Sequence, residues 1–183
     1  MNKAVFLDRD GVLNRAIVKN GKPYAPRSLE DFILNPDMDQ LIRLKNLGYR
    51  LIVVTNQPDV ANGFITRQFV EALHARLRQA FPFDDILACL HGSKDGCECR
   101  KPKPGMLYRA REAFNICLAN SYMIGDRWSD VMAGQAAGCA TVFLDYGYKE
   151  CAPEISPDYI CRSLAAAIEW IETRDARLQP AAR

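Results

Sequence analysis

FLDRDGVLN, Phe6 to Asn14, is the stretch whose reading decides the fold. Ala4 to Leu7 are apolar, a short run that reads as a buried strand. Asp8 and Asp10 follow, with Arg9 between them, and Gly11 turns the chain. Alternation along a strand puts the two carboxylates on the same side. Two acids sharing one crevice repel each other unless a cation sits between them, and oxygen ligands of this kind suit magnesium. A carboxylate can also act as a nucleophile, as in enzymes that form an aspartyl-phosphate.

The same pattern recurs along the chain. Leu51–Val54, Ile86–Cys89, Ser121–Gly125 and Ala140–Leu144 are further short apolar runs. Between them, helical spacing covers Met38–Leu47, Thr66–Phe81, Met106–Phe114 and Ser129–Ala137, with a last helix over Ser163–Ile171. Strands alternating with helices predict a three-layer α/β/α sandwich around a mainly parallel sheet. In such sheets ligands bind outside the carboxyl ends of the strands. DRDG, TNQ (Thr55–Gln57) and GDRWSD (Gly125–Asp130) all fall there. Lys19–Ser28 is rich in turn formers and reads as a loop. A single domain over 1–174 is expected, with 175–183 a frayed tail. Neither the segment between DRDG and TNQ nor the one after it is long enough to build a large cap domain.

At 183 residues and 25% charged, with a net charge of +2, the chain is an ordinary globular sequence with no electrostatic case for nucleic acid. It has no apolar run of the roughly 18 residues that a membrane span needs. The first apolar run is too short for a secretory signal. The default expectation is a cytoplasmic monomer that binds no membrane. Of seven cysteines, Cys89, Cys97 and Cys99 crowd together with His91, in ACLHGSKDGCECRKPKPG. Three thiolates and an imidazole make a closed zinc set, structural because no ligand position is left for water. His74, in the middle of an amphipathic helix, reads as a polar-face residue. Cys117, Cys139, Cys151 and Cys161 read as scattered core or surface thiols.

Asp126 and Asp130 end one strand and begin the next helix, so they can complete a magnesium site with Asp8 and Asp10. Asp8 would attack phosphorus in line. Asp10 would protonate the leaving alcohol and then deprotonate the attacking water. Thr55 and Asn56 could hold phosphoryl oxygens. A lysine is wanted against the charge that spreads over them, and Lys101 and Lys103 are both candidates.

FLDRDGVLN, VVTNQ, RKPKPGM and IGDRWSD together resemble the motifs of the haloacid dehalogenase-like (HAD-like) phosphatases. The resemblance spans Phe6 to Asp130 and implies a HAD-like Rossmannoid fold. It implies that Asp8 is the nucleophile, Asp10 the acid/base and Thr55 the phosphate-binding hydroxyl. Lys101, first in KPKPG, would be the phosphate-clamping lysine. Magnesium would be held by Asp8, the Asp10 backbone carbonyl and Asp126, with Asp130 in support. CECRKPKPGM is similar to a zinc-bearing subgroup that includes D-glycero-D-manno-heptose 1,7-bisphosphate 7-phosphatases and histidinol-phosphate phosphatases.

Side chains able to read a sugar or amino-alcohol are Asn14, Lys22, Tyr24, Asn56, Gln57, Arg100 and Arg127. Arginine suits a second phosphate. DRDGVLN, TNQ and CRKPKPGM favour the heptose bisphosphate. Pro58 and Asn62 stand where those enzymes tend to have serine and arginine, and Arg127 where they usually have lysine. Histidinol phosphate and other small sugar phosphates are therefore the alternatives. A non-enzymatic, zinc-stabilised interaction module is a further alternative, but it would not need Asp8, Asp10, Thr55, Lys101 and Asp126 all intact.

Overall fold

The computed structural model describes residues 1–150 and 154–178. Its centre is a six-stranded, all-parallel sheet in the order β5-β4-β1-β6-β7-β8. The strands are β1 (Lys3–Leu7), β4 (Tyr49–Asn56), β5 (Asp85–Cys89), β6 (Tyr122–Gly125), β7 (Ala140–Leu144) and β8 (Tyr159–Cys161). β1 lies between β4 and β6, with Leu7 opposite both Val53 and Ile124. Ala4, Val5, Phe6 and Leu7 are all fully buried. This strand shows no polar alternation because helices cover both faces of the sheet.

One face packs Val5 and Leu7 against α1 (Ile42–Asn46), α2 (Arg67–Ala80) and α5 (Leu164–Leu178), through Leu44, Leu73, Leu77 and Ile168. The other packs Ala4 and Phe6 against Met106, Leu107 and Ala110 of α3 (Gly105–Phe114). On that face α4 (Trp128–Ala137) brings Gly134 so close to Met123 that a Cβ there would lie 2.7 Å from the Met123 Cβ. The three layers are therefore those expected.

Four local features differ from expectation. Part of the expected loop at Lys19–Ser28 is the second arm of a hairpin, β2 (Ile17–Lys19) and β3 (Lys22–Tyr24), whose turn is Asn20-Gly21, both at positive φ. That dipeptide is a hairpin signal, obscured by Pro23 and by exposed side chains with no buried face. The helix expected over Met38–Leu47 splits into a 3₁₀ turn, Met38–Leu41, and α1. β8 is a short edge strand with Ile160 exposed, so it carries no apolar run to reveal it.

The tail expected from residue 175 is still helix through Leu178. Asp175 there accepts hydrogen bonds from Lys3 Nζ at 2.7 Å and from the Tyr49 hydroxyl at 2.6 Å, which ties α5 to the start of the sheet. Residues 179–183 and Cys151 lie outside the described residues. Among the described residues no helix is long and apolar enough to cross a membrane.

Candidate active site

The carboxyl ends of β1, β4 and β6 meet at one crevice. Asp8 and Asp10 leave β1, Thr55 and Asn56 end β4, and Asp126 and Asp130 flank the start of α4. Carboxylate oxygens of Asp8, Asp126 and Asp130 all lie within 4.8 Å of one another. Two glycines allow this crowding. Gly11 has φ +95°, and a Cβ there would lie 1.8 Å from Asp126 Oδ2. A Cβ on Gly125 would lie 2.1 Å from the Asp130 Cβ. Gly11 of DRDG thus leaves room for Asp126 of the facing loop, and Gly125 leaves room for Asp130 of its own motif.

Lys101 is the counter-ion. Its buried Nζ is 2.7 Å from Asp8 Oδ1, 2.7 Å from Asp130 Oδ1, and donates to the Val54 carbonyl at 2.6 Å. Lys103, the other candidate, points outward to Glu98. The Lys101 backbone is braced by the Asn56 amide, which accepts from Lys101 N at 3.1 Å and donates to its carbonyl at 2.9 Å. Asp130 Oδ2 also accepts from Arg127 N at 3.0 Å, fixing the first turn of α4.

The electrostatics follow from burial and crowding. Burial, helped by Asp130 and Asp10 and opposed by Lys101, raises the Asp8 pKa to about 6. Burial alone would lower Lys101, but Asp130 and Asp8 outweigh it and hold its pKa up at about 12. Burial, then Asp8 and Asp130, push Asp126 well above the ordinary carboxylate range. Both Asp126 oxygens are buried without a hydrogen-bond partner. The Tyr148 phenol lies beside them without a bond of normal geometry, and burial together with Asp126 pushes its own pKa up. A buried acid left this way is costly. A divalent cation bound by oxygen would satisfy it, so the donor set fits magnesium.

Asp10 is held from behind. Arg9 Nη2 donates to its Oδ1 at 3.1 Å and to its Oδ2 at 2.8 Å, and Arg9 Nε donates to Oδ1 at 3.1 Å. Asn14 Nδ2 reaches Oδ1 at 3.0 Å, and Gln57 Nε2 reaches Oδ2 at 2.6 Å and Thr55 Oγ1 at 2.9 Å. Gln57 is fully buried and Asn14 is 1% exposed, and both donate to Asp10. One expectation is revised: His74 is not a polar-face residue. It is 2% exposed, and its Nε2 lies 3.3 Å from Arg9 Nη1. From the sequence, alternation says only that Arg9 points away from the acids. It does not say that a guanidinium is buried there.

Lys22, Tyr24, Asn56, Arg100 and Arg127 line the cavity above Asp8 and Asp10, a space of about 420 Å³. Residues of the hairpin and of the segment from Pro58 to Phe64 form part of its walls. Arg27 joins these walls through Asp59 at 2.7 Å and sits over the Phe64 ring at 4.1 Å. Arg100 Nη1 donates to the His91 carbonyl at 3.4 Å, and Arg127 pairs with Glu150.

Behind Arg100 the four soft ligands converge. Cys89 Sγ is 3.5 Å from His91 Nδ1 and 3.7 Å from Cys97 Sγ. Cys99 Sγ is 3.3 Å from His91 Nδ1 and 3.5 Å from Cys97 Sγ. A tetrahedron with usual zinc–sulfur and zinc–nitrogen lengths has edges of about 3.8 Å between sulfurs and about 3.6 Å from sulfur to nitrogen. The observed edges run a few tenths shorter, and the donor set fits zinc.

The HAD-hydrolase-like family model matches residues 98–167. A D-glycero-beta-D-manno-heptose-1,7-bisphosphate 7-phosphatase of Helicobacter pylori (strain J99) is 35% identical over 93% of this chain and 98% of its own. The enzyme of that name from Escherichia coli (strain K12) is 36% identical over 88% and 90%. Among solved structures, D,D-heptose 1.7-bisphosphate phosphatase from B. bronchiseptica, complexed with magnesium and phosphate, superposes with a TM-score of 0.80. It shares 30% identity and covers 94% of this chain and 99% of its own.

Proposed function

The chain belongs to the heptose-1,7-bisphosphate 7-phosphatase family of HAD-like hydrolases and is a phosphatase, and we propose that it releases the 7-phosphate of D-glycero-D-manno-heptose 1,7-bisphosphate. The observation that carries this reading is the buried Asp8–Lys101–Asp130 cluster beneath a cavity walled by cations. Lys101, Arg100 and Arg127 suit a substrate with more than one phosphate.

In this reading Asp8 Oδ attacks phosphorus and the ester P–O bond breaks. Asp10 delivers its proton to the departing alkoxide. Water then attacks the aspartyl-phosphate, Asp10 takes its proton, and inorganic phosphate leaves with Asp8 regenerated. Thr55 and the backbone N–H groups of the crevice hold the phosphoryl oxygens, and Lys101 neutralises the charge that grows on them. Magnesium would be held by Asp8, Asp126 and the Asp10 carbonyl, with Asp130 in support. It would supply positive charge to the phosphoryl group. Zinc at Cys89, His91, Cys97 and Cys99 would stiffen a loop with no regular structure and so fix Arg100 and Lys101. No described cysteine is in a disulfide, which suits a reducing cytoplasm.

The test is phosphate release, with magnesium present, from sugar mono- and bisphosphates and histidinol phosphate. The heptose 1,7-bisphosphate should give the highest kcat/KM, with heptose 1-phosphate as product. Preference for histidinol phosphate would replace the substrate while leaving the chemistry. Inactivity on every phosphate ester would return the non-enzymatic, zinc-stabilised module.

A further inference from the structure

Arg9 is fully buried, in the middle of the acid motif, and nothing in the hydrolytic scheme uses it. A guanidinium has five N–H donors, no acceptor and no neutral form at ordinary pH. Here Nε and Nη2 are committed to Asp10. The opposite nitrogen, Nη1, faces His74 Nε2 across 3.3 Å. The Phe32 ring centroid is 5.9 Å from the guanidinium carbon. Since Arg9 can only donate, His74 Nε2 must be the unprotonated nitrogen, leaving the ring hydrogen on Nδ1. A protonated ring would press a second cation against Arg9, and burial followed by Arg9 lowers the His74 pKa to about 3.

His74 is itself held by a stiff element. It sits mid-way along α2, whose N-terminus is capped by Thr66 Oγ1 accepting from Phe69 N at 3.1 Å. Its neighbours Leu73 and Leu77 anchor that helix in the core. The ring position is thus set by helix packing, not by the crevice.

We propose that His74 is a positioning residue for the reaction: from α2 it fixes the Arg9 guanidinium, and Arg9 in turn fixes the Asp10 carboxylate. This rests on the phosphatase reading, in which Asp10 transfers the proton. Without the His74 acceptor, Nη1 has an unsatisfied buried donor. The guanidinium then turns or admits water, and Asp10 turns with it. A proton donor displaced by a fraction of an ångström matters most for a leaving group that needs the proton.

The experiment uses the full chain with magnesium, in excess over substrate, so that the first phosphoryl transfer is observed. His74→Leu should slow release of a sugar alcohol by about tenfold, while nitrophenolate, which leaves without a proton, changes by about twofold or less. His74→Gln, which keeps an acceptor on α2, should recover most of the lost rate. Equal losses on both esters, or no loss in a folded His74→Leu, would overturn the proposal. ¹⁵N NMR of the wild-type chain gives an answer that needs neither turnover nor a folded variant. The shift of Nε2 should be that of an unprotonated ring nitrogen, and a hydrogen on Nε2 would overturn the arrangement. Wild-type inactivity on both esters would overturn the phosphatase reading and with it this one.

Discussion

Lys101→Met keeps the length of the side chain and removes its charge and donors. In a medium of effective dielectric about 20, unit charges 2.7 Å apart attract by about 6 kcal/mol. Lys101 makes two such contacts, offset by the dehydration of three ions. Removing one partner of a buried pair costs about 3–5 kcal/mol net, because the survivors stay buried. For a chain of this size each kcal/mol is worth about 2–4 °C, so the melting temperature should fall by roughly 6–20 °C. Turnover should fall by about 10²–10³, the usual cost of one lost charge-stabilising group. Lys101 also holds the Asp8 pKa down against burial. Its loss should move the acid limb of the kcat/KM profile to higher pH, since only ionised Asp8 attacks. Magnesium should raise the melting temperature more in the variant than in the wild type, because it meets an uncompensated acid cluster. Calorimetry with and without chelator, beside phosphate-release kinetics, reads all of these. Unchanged melting and near-normal turnover would refute the counter-ion role.

Asp8→Asn should reduce phosphate release to background, and rapid quenching should trap a phosphorylated chain only with the wild type. Protein purified without added zinc should carry about one equivalent of it, and stripping the metal should lower the melting temperature and turnover together. Arg100→Ala should raise KM for a sugar bisphosphate and leave nitrophenyl phosphate unchanged; an unchanged bisphosphate KM would exclude distal-phosphate recognition. His74 sets a stability window. Its folded pKa of about 3 lies below the ordinary 6.5, so only the unfolded chain takes the proton in between. That contribution is whole above pH 6.5 and is lost on acidification at up to about 1.4 kcal/mol per pH unit. His74→Gln lacks it, so the melting curves of the two proteins should converge as pH falls from 6.5 toward 4. A constant gap would show that the folded ring takes up its proton as readily as the unfolded one.

The acids, Lys101 and the thiolates were legible because each lies in a short motif at a strand end, where local spacing and chemistry coincide. The central strands were legible because burial on both faces leaves an unbroken apolar run. What was missed depends on partners distant in sequence. Nothing in the local sequence says that Gln57 bridges Asp10 and Thr55. His74 lies on the polar fringe of its helical pattern, and Arg9, just past the end of β1, gives that side a buried partner. The β2–β3 hairpin and β8 have too little buried surface to leave a periodic signal.

The place of β1 in the sheet has a consequence in time. Its two neighbours arrive in turn: β4 follows within the first third of the chain, but β6 not until Tyr122. At synthesis rates of about 5–20 residues per second, Ile124 is added roughly 6–23 s after Leu7. Throughout that interval one edge of this buried strand lacks its pairing partner, and Asp8 lacks the facing acid of the carboxylate cluster. The nascent chain therefore carries an open, parallel strand edge for seconds, the kind of surface that chaperones cover and that aggregates when left bare. Ribosome-stalled chains ending between β4 and β6 should stay protease-sensitive at β1, and protection should appear once β6 has cleared the exit tunnel.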